Sequence, residues 1–318
     1  MHFHILGICG SLMGSIALLA REMGHTVSGT DENVYPPMSD QLEQAGIALN
    51  SPYTETNLPD TADLIIVGNA GLPRGNLAVE KMLRGATPFV SGAEWLAKYL
   101  LADRWVIGVS GTHGKTTTSA MTAFILDKAG LAPGFLIGGV PLDFGQSSRL
   151  GAAPYFVIEA DEYDTSYFDR RSKFLHYQPR TLIINNLEYD HADIFDSLED
   201  IKGQFHLLMR TLPDDGLVIR PEGDANIDDV LARGCWTPTI ATGGKAARAK
   251  LLVEDGSRFE VVIEGRTEGQ VSWSLTGQHN VGNALAAILA ARHAGVPPAA
   301  ACEALCSFQG VKRRMEVL

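Results

Sequence analysis

Gly111-Thr112-His113-Gly114-Lys115-Thr116-Thr117 carries the residue types that hold the phosphates of a nucleotide. An apolar run, Val106 to Val109, leads into it, and the sequence predicts a helix just behind it, from Ser119 to Ala129. In such a strand–turn–helix the backbone N–H groups and the positive end of the helix converge on an anion. Lys115 adds a point charge near the outer phosphates, and the Thr116 hydroxyl is placed to hold Mg²⁺. The usual phosphate-loop pattern has a glycine where this chain has Val109, with Gly108 and Gly111 on either side. A tight turn alone would explain Gly111 and Gly114, but not the Lys-Thr-Thr beside them.

Two further groups of polar residues follow apolar strands. Phe156-Val157-Ile158 runs into Glu159-Ala160-Asp161-Glu162. After a phosphate loop, a strand of this kind delivers an acid to Mg²⁺ at the carboxyl edge of the sheet. Thr181 to Ile184 is the next buried strand, and it opens into Asn185-Asn186-Leu187-Glu188-Tyr189-Asp190-His191. That stretch should reach the same edge, which makes His191 a candidate metal ligand. Farther on, Gly277-Gln278-His279-Asn280-Val281-Gly282-Asn283 begins an alanine-rich helix. Asn280 and Asn283 lie three apart and share a face. Capping accounts for one asparagine, and a second can hydrogen-bond the edge of a purine.

Near the N-terminus, Gly7-Ile8-Cys9-Gly10-Ser11-Leu12-Met13-Gly14 joins a strand to a helix. It is close to a dinucleotide fingerprint, but Cys9 and Leu12 stand where that pattern needs glycine. Asp31 ends the second strand, where a ribose-binding acid is expected. NAD and another diphosphate-bearing ligand fit these residues equally, and a glycine turn serving only helix–sheet packing competes with both.

The elements that must position these residues alternate. Strands over Phe3–Ile8, Thr26–Gly29, Leu64–Val67 and Pro88–Val90 are interleaved with helices over Ser15–Met23, Ser39–Ala45, Asn76–Arg84 and Ala93–Leu101. That alternation predicts a parallel, Rossmann-like α/β domain over residues 1–103. Residues 104–312 read as a second α/β domain of phosphate-loop type. Its helices include Asp200–Leu212 and one running from an Asn280 cap through His293, with Pro297-Pro298 opening another. From Lys250 to Leu275 the period changes to strict alternation around Asp255-Gly256 and Glu264-Gly265, predicting an antiparallel hairpin or meander at a sheet edge.

Composition narrows the function classes. A formal net charge of −11 argues against general nucleic-acid or membrane-surface binding. Met1-His2-Phe3-His4 opens directly onto a strand, with no signal-peptide pattern, and the longest apolar run, Ala284–Ala291, is far too short for a bilayer. The expected compartment is the cytoplasm. Cys9, Cys235, Cys302 and Cys306 show no paired spacing, so neither a zinc site nor a disulfide framework is expected.

Taken in order, the motifs resemble the Mur ligase family of ATP-dependent, amide-bond-forming enzymes of bacterial cell-wall synthesis. The matching pieces are the Gly10–Ala17 loop, Gly111 to Thr117, Glu159-Ala160-Asp161-Glu162, Asn186 to His191, His279-Asn280-x-x-Asn283 and Gly310-Val311-Lys312-Arg313-Arg314. Longer stretches resemble the branch that joins UDP-N-acetylmuramate to the murein tripeptide L-alanyl-γ-D-glutamyl-meso-diaminopimelate in peptidoglycan recycling. They are Asn33 to Ser39, Arg171-Ser172-Lys173-Phe174-x-His176-Tyr177 and Asp190 to Asp196.

The resemblance implies a set of roles. Gly7, Cys9, Gly10, Ser11, Met13, Gly14 and Asp31 would hold the UDP-sugar, not NAD. Gly111, Thr112, His113, Gly114, Lys115, Thr116 and Thr117 would cradle ATP as co-substrate, with His279, Asn280 and Asn283 on the adenine side and Arg314 on the ribose or phosphates. Thr116, Glu159 and His191 would bind Mg²⁺, and Lys115, Glu159 and His191 would carry catalysis. Family members also have a third, C-terminal domain. The chain stops at Leu318, with residues 313–318 where the crossover would start, so it is expected to bind the UDP-sugar without completing turnover. Three other readings stand beside this one: the ligase adding single L-alanine to the same sugar nucleotide, a folylpolyglutamate-synthase-like enzyme, and a non-catalytic UDP-sugar or ATP sensor.

Overall fold

The computed structural model describes residues 1–68, 72–152, 154–190, 192 and 194–312. The chain divides into two compact units. The first comprises Met1–Ala102 with Tyr163–His176, and the second Asp103–Glu162 with Tyr177–Leu318. A single division near Asp103 does not express this grouping, because Tyr163–His176 clusters with the first unit.

In the first unit, β1 (His2–Leu6), β2 (Thr26–Thr30), β3 (Ala48–Asn50), β4 (Leu64–Val67) and β5 (Phe89–Ser91) form a parallel sheet in the order β3-β2-β1-β4-β5. The helices are α1 (Ser11–Glu22), α2 (Met38–Gln44), α3 (Leu77–Arg84) and α4 (Gly92–Trp95), the last running into a π-helical turn over Leu96–Leu101. Successive residues of β1 face opposite sides of the sheet. On one side the Phe3 ring meets Trp95 and Tyr99 edge-on, at 5.7 and 5.5 Å. On the other, Leu6 joins Ile65 and Val67 under Leu72, Val79 and Met82 of the α3 region. Strand order reverses at β1, with β2 on one side and β4 on the other, and open parallel sheets bind ligands in the crevice at such a reversal.

The second unit is built on a ten-stranded sheet. Its strands are β6 (Trp105–Ser110), β7 (Gly134–Leu136), β8 (Ser148–Arg149), β9 (Tyr155–Glu159), β10 (Thr181–Ile184), β11 (Leu217–Pro221), β12 (Thr239–Thr242), β13 (Ala247–Leu251), β14 (Arg258–Ile263) and β15 (Arg266–Ser272). They run in the order β15-β14-β13-β12-β11-β10-β6-β9-β7-β8. The middle is parallel, while β13–β15 form the antiparallel meander expected at the edge. The helices of this unit are α5 (Lys115–Lys128), α7 (Leu198–Met209), α8 (Ala225–Ala232), α9 (Gln278–His293) and α10 (Pro298–Leu305), while the short α6 (Phe174–Tyr177) begins in the segment grouped with the first unit. Helix α5 is buried from Thr118 through Leu126 and α9 from Asn283 through Ala291, and the two pack on each other. Helices closed off on every side need no polar face, which suits the alanine-rich sequence of α9. Among the described residues no helix is long and apolar enough to cross a membrane.

Candidate active site

Strand β6 lies between β9 and β10 in parallel register, Val109 beside Glu159 and Ser110 beside Ile184. The carboxyl ends of the three strands therefore open together. They bring Gly111–Gly114, Glu159–Glu162 and Asn185–Glu188 to one edge.

Gly111 (φ +118°) and Gly114 (φ +82°) occupy backbone conformations that side chains rarely adopt. Space forbids a side chain as well. A Cβ at Gly111 would lie 2.8 Å from Asn186 O, and one at Gly114 would lie 2.8 Å from both Asn185 Nδ2 and Asn283 Oδ1. The loop is moulded against the chain that follows β10. Thr112 N donates to Asn186 O (3.3 Å) and His113 N to Asn186 Oδ1 (2.8 Å), while Asn186 Nδ2 donates back to His113 O (3.2 Å). Asn185 Nδ2 donates to Thr118 Oγ1 at 2.9 Å, and Glu188 N to Thr112 Oγ1 at 2.9 Å.

Those bonds engage the N–H groups of Thr112 and His113, which the sequence assigns to phosphate. Helix α5 supplies others. Thr118 N bonds Gly114 O at 2.9 Å, so the N–H groups of Lys115, Thr116 and Thr117 have no carbonyl partner within the helix. The helix start therefore offers N–H groups that the loop's own bonds to Asn186 do not engage.

Lys115 Nζ donates to Gly111 O at 2.7 Å and lies 3.5 Å from Glu162 Oε2 and 3.8 Å from Asp161 Oδ1. Glu159 Oε1 accepts from Gly138 N at 2.6 Å, and its carboxyl also hydrogen-bonds Thr116. Burial first, and then the charge of Asp161, push Glu159 up to about 7, against the pull of the Gly138 N–H, Thr116 and Lys115. A carboxyl short of positive charge in this way is one that a cation relieves. Thr116 and Glu159 offer hard oxygen atoms, and Mg²⁺ takes one or two such protein ligands and completes its shell with phosphate and water. These residues fit that ion. Among the described residues no three His, Cys, Asp or Glu side chains converge on a metal-sized site.

In the first unit Gly7 turns the chain at φ +81° after β1, and α1 begins at Ser11, a turn earlier than Ser15. Gly14 N bonds Gly10 O at 2.8 Å, which leaves the N–H groups of Ser11, Leu12 and Met13 without partners in the helix. Asp31, 9% exposed, faces the loop: Oδ2 accepts from Cys9 N (2.8 Å), Oδ1 from Asn33 N (3.1 Å), and the Tyr53 hydroxyl bonds it too. Burial and then the Asp31 charge push the Cys9 thiol up to about 11, and the Cys9 backbone ties the loop to Asp31. Met13 is 5% exposed in the core, and a Cβ at Gly14 would collide with Met38 Sδ. The Met13 side chain belongs to the core, and the bare backbone at Gly14 is what lets Met38 approach.

Comparison with known proteins places this geometry. Residues 2–104 match the catalytic domain of the Mur ligase family, and residues 109–291 match the Mur ligase middle domain. The chain belongs to the Mur ligase family. It is 53% identical over 318 residues, 100% of its length and 69% of the relative's, to the UDP-N-acetylmuramate–L-alanyl-γ-D-glutamyl-meso-2,6-diaminoheptandioate ligase of Escherichia coli K12. A crystal structure of the corresponding ligase from Neisseria meningitides superposes with a TM-score of 0.93 at 50% identity, covering 98% of this chain and 99% of that one. To the UDP-N-acetylmuramate–L-alanine ligase of Pelotomaculum thermopropionicum the identity is 33%, over 99% of this chain and 67% of that protein.

In this Mur ligase, Gly111, Gly114, Lys115, Thr116, Thr117 and Glu159 meet at the carboxyl edge of the central strands. Asn283, 8% exposed, stands beside Gly114. Asn280 is not a cap: α9 starts at Gln278 after Gly277 with no side-chain cap, and Asn280 Nδ2 donates to Thr276 O at 2.8 Å. His279 is exposed, its ring beside Gly277. His191 and Arg314 lie outside the described residues. Sequence reasoning passed over Asn185 and Asn186 as site residues, and Glu162 as a partner of Lys115. The available signal was two adjacent amides directly behind a buried strand that neighbours the phosphate-loop strand.

Proposed function

We propose that this Mur ligase joins UDP-N-acetylmuramate to L-alanyl-γ-D-glutamyl-meso-diaminopimelate through an acyl phosphate made from ATP. The observation that carries the choice of amine is the 53% identity over the entire chain to a ligase named for that peptide, against 33% to the relative named for L-alanine.

The chemistry suits the two sites. The lactyl carboxylate attacks the outer phosphorus of ATP and ADP leaves; the alanyl amine then attacks the acyl phosphate, forming the amide and releasing phosphate. The first step brings two anions together, so it needs fixed positive charge and positioning. Lys115 and the N–H groups of Lys115, Thr116 and Thr117 supply donors aimed at the phosphates. Thr116 and Glu159 would hold Mg²⁺, which when bound neutralises charge on the transferring group. In the first unit the start of α1 takes the diphosphate of the UDP-sugar, and Asp31 holds the Cys9–Gly10 turn in the shape that exposes it. The reading puts the protein in the cytoplasm with its nucleotide substrates.

Incubation of the chain extended by a family C-terminal domain with ATP, Mg²⁺, UDP-N-acetylmuramate and an equimolar mixture of tripeptide and L-alanine tests the proposal. Mass spectrometry should find the UDP-muramyl-tripeptide as the amide product. UDP-muramyl-alanine in its place would assign the other ligase activity.

A further inference from the structure

We propose that Glu162 is a competing counter-ion: it holds the Lys115 ammonium when no nucleotide is bound, and nucleotide phosphates must draw Lys115 away from it. This rests on reading Gly111–Thr117 as the nucleotide site. The effect is to keep nucleotide affinity low enough for the product nucleotide to leave.

The geometry is specific to this residue. Lys115 folds back over its own loop, Nζ donating to Gly111 O at 2.7 Å, with Glu162 Oε2 3.5 Å and Asp161 Oδ1 3.8 Å away. The Lys115 side chain is 13% exposed and that of Glu162 3%, so little water stands between the charges to screen them. Asp161 is both more distant and more open, at 19%. Glu159, on the same stretch, is engaged elsewhere, with Gly138 N and Thr116. Ala160 N still bonds Val109 O at 2.8 Å, so strand pairing continues just past Glu159 and fixes where Asp161 and Glu162 depart. A phosphate entering at the start of α5 meets a lysine already attracted to a carboxylate, and the gain from the new contact is reduced by the one it loosens.

The consequence has a sign that simple damage to the fold does not share. Glu162→Gln keeps the shape and an acceptor oxygen but removes the charge. It should bind ADP more tightly, by about tenfold, well short of the full Coulomb attraction at this distance and an effective dielectric near 20, because the carboxamide oxygen still faces Lys115. Asp161→Asn should tighten binding less. In a Lys115→Ala background the Glu162→Gln effect should shrink towards nothing, because the two residues act as a pair. If Glu162→Gln melts too low to measure, Glu162→Asp, which keeps the charge but withdraws it by a methylene, should still tighten ADP, by about threefold.

Calorimetric titration of the 318-residue chain with ADP, beside thermal melting of each variant, provides the test. Tighter binding that depends on Lys115 supports the proposal. Equal or weaker ADP binding by a folded Glu162→Gln overturns it, as does an undiminished effect without Lys115. Failure of the parent chain to bind either ADP or ATP would overturn the nucleotide reading beneath it, and the proposal with it.

Discussion

The proposed mechanism puts Lys115, which now contacts Gly111 O, Glu162 and Asp161, where charge grows on the transferred phosphoryl group. Lys115→Ala should lower acyl-phosphate formation, trapped as the hydroxamate with hydroxylamine, by roughly 10²-fold or more. Melting should change little; a variant with near-parental yield would remove Lys115 from the mechanism. His4 makes a different kind of prediction. It is fully buried in β1, with Nδ1 2.9 Å from Ser28 Oγ and Nε2 3.1 Å from Thr30 Oγ1. Burial first, and then the nearby charge of His2, hold its pKa down to about 3 from 6.5. The sign follows from which state takes the proton. Below 6.5 the unfolded chain protonates this histidine while the folded chain does not, so the stabilisation is whole above 6.5 and drains away as pH falls towards 3. Urea unfolding of the parent should lose about 1.4 kcal/mol more per pH unit than His4→Gln between pH 6 and 4. Parallel pH profiles for the two proteins would show that His4 titrates normally.

At the scale of elements, the start of α5 is where backbone and packing both insist on glycine. Gly114→Ala would force φ +82° on a residue with a side chain and press its Cβ against Asn185 and Asn283. Strain of this kind is worth on the order of 1–3 kcal/mol, so the melting temperature should fall by several degrees and ADP binding should weaken. An alanine variant that melts and binds like the parent would mean the loop has slack that these distances deny. That helix was legible in the sequence, though read from Ser119, a turn after its start at Lys115, because its signals are local: an apolar strand, glycines, then Lys-Thr-Thr. The carboxylates ending β9 and the meander β13–β15 were legible for the same reason. Strands β3, β7, β8, β11 and β12 and helix α8 were not. Of these, β3, β7 and β8 have two or three residues each, and β12, Thr239-Ile240-Ala241-Thr242, neither alternates nor runs apolar, so its place is set by pairing with β11 and not by its own pattern. The α1 start was placed a turn late because Leu12 and Met13 read as loop when Gly14 is taken for a turn, whereas Gly14 is a close helix–helix contact with Met38. Asn186 escaped for a related reason: its role is a two-point bond to His113, 73 residues away in sequence.

For the whole molecule, the sequence reading divided the chain once, near Asp103, and the structure groups Tyr163–His176 with the first unit. That segment carries a charge cluster of its own, Asp169 holding Arg171 Nη2 at 2.8 Å and Asp164 holding Arg170 Nη1 at 2.9 Å, which no local periodicity announces. The account as a whole depends on the first unit being a UDP-sugar site and not a dinucleotide site. The features that favour it are the start of α1 at Ser11, Cys9 and Leu12 in place of the fingerprint glycines, and Asp31 turned onto its own chain, Oδ2 accepting from Cys9 N in the loop and Oδ1 from Asn33 N just after β2. Calorimetric titration of the chain with UDP-N-acetylmuramate, and separately with NAD, puts this to the test. Saturable one-to-one binding of the UDP-sugar with no heat from NAD is the predicted result, and saturable NAD binding with no response to the UDP-sugar would contradict it.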